Sequence, residues 1–380
     1  MKYYLIAGEA SGDMHASELM SELKKIDTKA DFRFFGGNLM KRQGGQLVKH
    51  YKDMAFMGLW EVIRNIGKIK YNLNLCKNDI LGYNPDVLIL VDYPGFNLKI
   101  AEFSHKKKIK TIYYISPKIW AWKKKRVKKI KEYIDKMFVI FPFEVNFYKK
   151  YNYKVEYPGN PSLHIVKREL SKHFDKEKFL KENNLDDRPI IALLPGSRKQ
   201  EIEQILPDML KIIKHFADFQ FIIAGISSLP GDLYNNFIKN YDIKIIFDQT
   251  YNLLKISRAA VVTSGTATLE TALFKVPQVV CYKTSKLTYS IGKIFVHIKY
   301  FSLVNILMQK EVVKELLQNK LAESIAEELK NILHNKDYRK KMLEEYDALE
   351  KLLGQEGAPQ KAAISIYDFL THSSLQSLNT

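Results

Sequence analysis

Apolar runs of four or five residues alternate along this chain with amphipathic stretches of about 10 to 18 residues, a rhythm that predicts repeated strand-helix units and parallel sheets. The first half places strands at residues 3–7, 32–35, 87–91, 111–115 and 137–140. A polar, charged connection over 167–188 follows, and a second series sits at 190–194, 219–223, 244–247, 259–263 and 278–281. From about residue 310 the pattern turns helical, with helices near 320–334, 337–353 and 359–372. Two similar halves predict an α/β fold of two Rossmann-like lobes facing a central cleft, with a helical C-terminal region. The expected boundaries are 1–165 for the N-terminal lobe, 188–355 for the C-terminal lobe and 356–380 for a terminal helix and tail.

At 380 residues the chain is long enough for each lobe to bury its own core. Apolar residues at 46% and charged residues at 27% are ordinary for a folded enzyme and exclude a largely disordered chain. Cys76 and Cys281 lie far apart in apolar sequence, which argues against a disulfide framework or thiolate metal cluster and for a reducing cytoplasm. No run approaches the roughly 20 apolar residues that span a bilayer, and the opening run to Gly8 is too short for a signal peptide. Charge sharpens the picture. The 60 basic residues outnumber 42 acids, a formal +18 that favours phosphorylated substrates, anionic lipid or nucleic acid. The densest runs are 106–108 and 123–131; no nucleic-acid module is recognisable, so no nucleic-acid partner is expected.

Ligands of open parallel sheets bind beyond the carboxyl ends of the strands, and four loops there carry candidate chemistry. The first, Gly8-Glu9-Ala10-Ser11-Gly12-Asp13, precedes a helix expected to start near Met14. Its glycines let backbone N–H groups approach a ligand, while Ser11 or Asp13 would equally serve as an ordinary cap. The second, Pro195-Gly196-Ser197-Arg198, offers a sharp turn at Gly196, a cap at Ser197 and a forked cation at Arg198. That cation either grips a phosphate or pairs with Glu201 or Glu203. The third, Ser264-Gly265-Thr266-Ala267-Thr268-Leu269-Glu270, brings hydroxyls, free amides and a helix dipole to one spot, which suits a diphosphate. Glu270 is placed to accept hydrogen bonds from a ribose diol. The fourth, Val91-Asp92-Tyr93-Pro94-Gly95-Phe96-Asn97, closes a buried strand on Asp92, a candidate general base, and Asn97 would cap the following helix. His15 is the second candidate base because its unperturbed pKa suits the task. No metal-ligand cluster is evident, so neither metal nor cofactor is expected.

These strings, in this order, resemble the lipid-A-disaccharide synthase family, inverting glycosyltransferases of the GT-B fold. Met57-Gly58 with Glu61-Val62, Ser116-Pro117 with Trp120-Ala121-Trp122 and Lys125-Arg126, Phe141-Pro142-Phe143-Glu144, and Val313-Lys314-Glu315-Leu316-Leu317-Gln318 extend the likeness from about residue 8 to 318. The resemblance implies a reaction between UDP-2,3-diacylglucosamine and 2,3-diacylglucosamine 1-phosphate, giving a β-1,6-linked disaccharide 1-phosphate and UDP in lipid A (lipopolysaccharide) biosynthesis. The UDP-sugar is then a substrate, not a cofactor. It implies nucleotide contacts at Gly196, Ser197, Arg198, Ser264, Gly265, Thr266, Ala267, Glu270, Asn305 and Glu315. Substrate contacts fall on Glu9, Ser11, Gly12 and Trp120, and the essential acid on Asp92. It also implies C-terminal segments exchanged between the subunits of a homodimer. Many members have a second acid where this chain has Gly95, and Asn160 and His164 depart from the family's frequent residues, so neither is assigned a role. A different glycosyltransferase or a UDP-sugar epimerase of the same architecture would share the phosphate loops.

Acylated substrates bring a membrane surface into consideration. Over residues 54–73, Leu59, Trp60, Val62, Ile63, Ile66, Ile69 and Leu73 fall near one helical face, with Glu61, Arg64, Asn65 and Lys68 largely elsewhere. Such a helix either contacts lipid or packs on its own core, and nearby cations would add about 1 kcal/mol each at an anionic surface. The apolar, aromatic stretch 291–304 is open to the same two readings. The expectation is a cytoplasmic protein peripherally associated with the anionic inner face of the cytoplasmic membrane.

Overall fold

The computed structural model describes residues 1–54, 64–117, 119–120, 126–227, 229–230, 232–283, 299–317 and 320–378. They divide into two compact units, Met1–Pro161 with Gln355–Thr380, and Ser162–Gly354. The first holds strands β1 (Lys2–Ala7), β2 (Asp31–Gly36), β3 (Gln46–His50), β4 (Val87–Val91), β5 (Thr111–Tyr114) and β6 (Lys136–Phe138). The second holds β7 (Ile190–Leu194), β8 (Gln220–Gly225), β9 (Lys244–Phe247), β10 (Ser257–Thr263), β11 (Gln278–Tyr282) and β12 (Glu315–Leu317).

Their spatial orders, β3-β2-β1-β4-β5-β6 and β12-β11-β10-β7-β8-β9, are the same winding used twice. Every pairing is parallel. In each sheet the chain leaves its first strand toward one edge, then returns and leaves its fourth strand toward the other. A crevice forms where that direction reverses, between β1 and β4 and between β7 and β10. The central strands are buried along their length because helices cover both faces, which is why they read as continuous apolar runs. In the first unit, Tyr4, Ile6, Leu88 and Leu90 pack on one face of the sheet and Tyr3, Leu5, Val87 and Ile89 on the other.

Two strands escaped the sequence reading. β3 (QLVKH) and β12 (ELL) are half-buried edge strands, so neither shows a continuous apolar run, and the segment after residue 310 opens as strand before it becomes helix. The helices Leu321–His334 and Lys336–Leu353 lie close to where the apolar periodicity placed them. The terminal helix Ala358–Leu378 is not a separate tail: Ala362, Ala363, Ile366 and Leu370 pack with Ala16, Leu19, Met20 and Leu23 of the helix Ala10–Ile26. Two small alanines let the helices approach closely, and the Ser365 hydroxyl adds a hydrogen bond to Glu156. No described helix is long and apolar enough to cross a membrane. Both cysteines are buried free thiols.

In the second unit an ion-pair triad joins the helix Lys199–Lys211 to the end of β11. The buried Asp208 carboxylate meets Lys283 at 2.5 Å and Lys211 at 3.0 Å. Burial acts to raise the Asp208 pKa, but the hydrogen bonds and charges of the two lysines outweigh it and hold it below its ordinary 3.8. A carboxyl held low in the folded state stabilises above its ordinary value and loses that contribution as the pH falls through the folded value. Asp208→Asn is therefore expected to cost about 2 kcal/mol near neutrality. In urea titrations repeated at successively lower pH, the gap from wild type should close below pH 3.8; a gap indifferent to pH would contradict this account.

Candidate active site

In the first unit, β1 and β4 run side by side with Ala7 opposite Val91, so the first and fourth loops leave the sheet together. The helix after β1 begins at Ala10, a turn earlier than the expected start near Met14. Gly12 makes this fit: a β-carbon there would lie 3.3 Å from that of Ala7, so the helix can start close against the strand. Ser11 and Gly12 thus sit in the first helical turn, with Glu9 at the N-cap, and the backbone N–H groups of that turn lack partners within the helix. Asp13 caps a different helix. Its buried carboxylate accepts from the N–H groups of Gly37, Leu39 and Met40 at 2.8, 3.0 and 3.2 Å, closing the start of Asn38–Arg42. His15, the second candidate base, is only 8% exposed.

After Val91, both Asp92 and Tyr93 turn left-handed, with φ of 45° and 48°. Two consecutive residues with side chains in that region cost of order 1–3 kcal/mol each, so the surroundings must hold them. The Tyr113 hydroxyl donates to the Asp92 carbonyl at 2.6 Å. Asn97, fully buried, donates from its amide to the carbonyls of Asp92, Val91 and Ile6, at 2.8, 3.3 and 3.4 Å. It ties the ends of β1 and β4 together rather than capping the helix Pro94–Lys106, whose N-cap is Tyr93. The Tyr93 hydroxyl donates to the Met54 carbonyl at 2.8 Å, and its ring lies where a β-carbon on Gly8 would be, 2.3 Å away. Burial, and then the nearby Glu9 charge, push the Tyr93 hydroxyl up to about 12. A β-carbon on Gly95 would meet nothing within 4 Å.

The loop after β5 is anchored by a residue the sequence reading gave no role. Glu144 is completely buried at the third position of the helix Pro142–Lys149, where it accepts from the Ile140 and Phe141 N–H groups at 3.0 and 2.9 Å. Its other oxygen accepts from the Ser116 hydroxyl at 2.7 Å and the Trp120 indole at 3.1 Å. Burial raises this carboxyl to about 7 against those hydrogen bonds. The polar end of Trp120, expected to meet substrate, is therefore bonded to protein, while its ring packs edge-on against Phe143. Glu144 supplies the glutamate half of a capping box, but Phe141 at the N-cap has no side-chain acceptor, so the string Phe141-Pro142-Phe143-Glu144 lacks the serine or threonine that marks such a start in sequence. Leu59, Trp60 and Ile63 lie outside the described residues, as do Trp122 and Lys123 to Lys125. Ile66 opens the helix Ile66–Tyr83 and is 55% exposed. Most of the stretch 291–304 also lies outside them.

In the second unit Leu194 pairs with Val262, so the loops after β7 and β10 leave adjacent strands at the same end. Gly196 has a φ of +115° and faces Glu201, whose Oε2 would be 2.5 Å from a β-carbon there. Glu201 accepts from the Ser197 N–H at 3.0 Å and from the Arg198 guanidinium at 2.8 Å. Ser197 is thus fastened through its backbone, and Arg198 stands at the N-cap of Lys199–Lys211 with its guanidinium nearly half exposed. Gly265 caps the helix Thr266–Leu273, so Thr266 and Ala267 form its first turn with their amides at the helix start. The Ser264 hydroxyl donates to the Phe301 carbonyl at 2.9 Å. Burial raises the Glu270 carboxyl to about 7, partly offset by the Tyr251 hydroxyl bonded to it.

Asn305, expected to touch the nucleotide, is fully buried and spends its whole amide on protein. Nδ2 donates to the Val313 carbonyl at 2.8 Å and to Glu315 at 2.9 Å, while Oδ1 accepts from the Val312 and Val313 N–H groups at 2.7 and 3.0 Å. Two donors and two acceptor sites are all such an amide has. Glu315 in turn accepts from the Phe301 and Ser302 N–H groups, both at 2.8 Å. No sequence signal distinguished these struts from ligands, because both uses select the same polar residues.

Gly196→Ala is expected to destabilise the protein by about 1–3 kcal/mol, because alanine must enter the left-handed region and displace Glu201. Glu201→Gln made in that background should then cost little more, a non-additivity readable from the four urea unfolding curves of a double-mutant cycle. Full additivity would refute the link from Gly196 to Glu201.

A family model described as Lipid-A-disaccharide synthetase matches residues 3–366. The lipid-A-disaccharide synthase of Coxiella burnetii is 36% identical over 372 residues, covering 96% of this chain and 98% of that protein. That of Syntrophus aciditrophicus is 38% identical over 369 residues, 95% of each. Among solved structures, the UDP-GlcNAc 2-epimerase of Neisseria meningitidis bound to UDP-GlcNAc superposes with a TM-score of 0.64 at 14% identity, covering 98% of this chain and 100% of that one. A calicheamicin glycosyltransferase gives 0.59 at 13%, with 98% of each chain covered. These distant likenesses establish the GT-B fold alone. Identity above 30% along nearly the entire length establishes more: the chain belongs to the lipid-A-disaccharide synthase family, glycosyltransferases of lipid A biosynthesis.

Proposed function

We propose that this protein transfers 2,3-diacylglucosamine from UDP to the 6-hydroxyl of 2,3-diacylglucosamine 1-phosphate, forming a β-1,6 bond and releasing UDP. The observation that supports it best is that both winding reversals carry the chemistry such a displacement needs. One has a carboxylate at a strand end, and the other has a helix start beside an exposed guanidinium. The acceptor oxygen donates a pair to the anomeric carbon as the bond to UDP breaks and its electrons leave on the diphosphate. Asp92 takes the acceptor proton. Its backbone carbonyl is held by Tyr113 and Asn97, so the point from which the carboxylate projects is set before substrate arrives. His15 is the less suited base because it is almost buried within its helix.

Arg198, held by Glu201, and the amides of Thr266 and Ala267 receive the charge that develops on the departing diphosphate, with Gly196, Ser197, Ser264 and Gly265 shaping the turn. Glu270 accepts from the ribose diol. In this reading the leaving group needs no metal. Glu9 and the first-turn amides of Ser11 and Gly12 face the acceptor's phosphate or sugar. The basic surface and the exposed apolar residues Ile66 and Tyr71 favour peripheral attachment to the anionic inner face of the cytoplasmic membrane, with Leu59, Trp60 and Ile63 belonging to the same contact. The terminal helix, packed here on its own chain, is the segment a homodimer would exchange.

Incubation with both acylated sugars in detergent, followed by mass analysis, should yield the disaccharide 1-phosphate and UDP; an unchanged substrate mixture would sink the assignment. Asp92→Asn should bind UDP within about twofold of wild type while turnover falls about 10²- to 10⁴-fold. Undiminished turnover would take Asp92 out of the base role. Flotation with anionic vesicles at low salt should carry the protein upward, and protein left at the bottom would count against the membrane contact.

A further inference from the structure

An aromatic pair stands beside the phosphate-binding helix start, unused by the reaction as derived so far. Tyr282, the last residue of β11, stacks on Phe301 with ring centroids 5.8 Å apart and planes 8° apart. Phe301 is 36% exposed, yet its backbone is clamped on both sides. Its N–H donates to Glu315 at 2.8 Å and its carbonyl accepts from Ser264 at 2.9 Å. Glu315 is itself fixed by the Ser302 N–H and by the saturated amide of Asn305. A run of satisfied polar groups anchored on buried Asn305 and Ser302 favours one geometry, because breaking its buried members leaves the others unpaired. Here the run ends on a single exposed apolar ring.

Glu270 gives the direction in which a ligand lies. It is bonded to Tyr251, on the helix Thr250–Ile256, which packs against β7, β8 and β9. Glu270 therefore faces the β7-β8-β9 half of the sheet, whereas Tyr282 and Phe301 belong to the β11-β12 half, with the start of Thr266–Leu273 between them. A nucleotide sugar is a linear ligand. With its ribose at Glu270 and its diphosphate at the helix start, its sugar extends toward Phe301.

We propose that Phe301, backed by Tyr282, is the platform on which the apolar face of the donor's glucosamine ring stacks, and that Asn305 and Glu315 are positioning residues for that platform rather than nucleotide ligands. The negative face of an aromatic ring suits the positively polarised C–H groups on one side of a pyranose. This rests on the donor reading above.

The test is equilibrium binding of UDP-2,3-diacylglucosamine and of UDP to the full-length protein and its variants. Phe301→Ala should weaken donor binding about tenfold, equivalent to about 1.4 kcal/mol, while UDP binding stays within about twofold and also reports that the variant is folded. Phe301→Tyr should restore donor binding. Glu315→Gln should reproduce the donor-selective loss. Unchanged donor binding in Phe301→Ala, or an equal loss for both ligands, overturns the platform, and so does a loss for the acylated donor with none for UDP-GlcNAc. Failure of the underlying donor reading looks different, since wild type would then bind UDP but not the donor and form no disaccharide.

Discussion

A parallel sheet covered by helices on both faces leaves its strand ends as the places where a ligand can reach backbone and side chains together. Where the winding reverses, the two connecting helices diverge and the crevice stays open. This chain builds that reversal twice, between β1 and β4 and between β7 and β10. The four loops with candidate chemistry are the loops after those four strands. In the proposed reaction, proton removal falls to one sheet and departure of the diphosphate to the other.

Much of this was legible before the structure. Strands such as 87–91 and 190–194 are buried on both faces and announce themselves as unbroken apolar runs, and small residues after them mark the loops. The edge strands β3 and β12 were not legible, because a strand with one neighbour and a half-buried face carries no such run. The site was legible in position but less so in role. Asp13 and Asn97 occupy the expected loops and Asn305 was an expected nucleotide contact, yet their side chains fasten backbone segments together. Residue type alone does not separate a polar group that waits for a ligand from one already satisfied. Tyr113 and Tyr251 gave no signal at all, since each acts through a tertiary contact from a separate element.

Satisfied buried polar groups recur throughout the molecule as the means of holding loops. Glu144 ties two family strings into one unit, and Glu201 does the same for the turn at Gly196. Each costs desolvation that its hydrogen bonds must offset, and the gain is one geometry in segments that would otherwise sample many. Such struts explain why long stretches resembling the family include residues that touch no substrate in the derived mechanism.

The left-handed pair Asp92-Tyr93 limits what this position can become. Aspartate and asparagine tolerate that backbone better than other side chains, and glycine better still, whereas a branched residue does not. The fold therefore filters the amino acids available at the position proposed to accept the proton before chemistry has any say. Of the acidic side chains only the shorter is well suited to the turn, so a lineage drifting away from this reaction has asparagine and glycine as its nearest exits. Either would remove the charge and leave the architecture standing, a scaffold that, in the proposed reaction, would keep its hold on the nucleotide but no longer draw a proton from an acceptor.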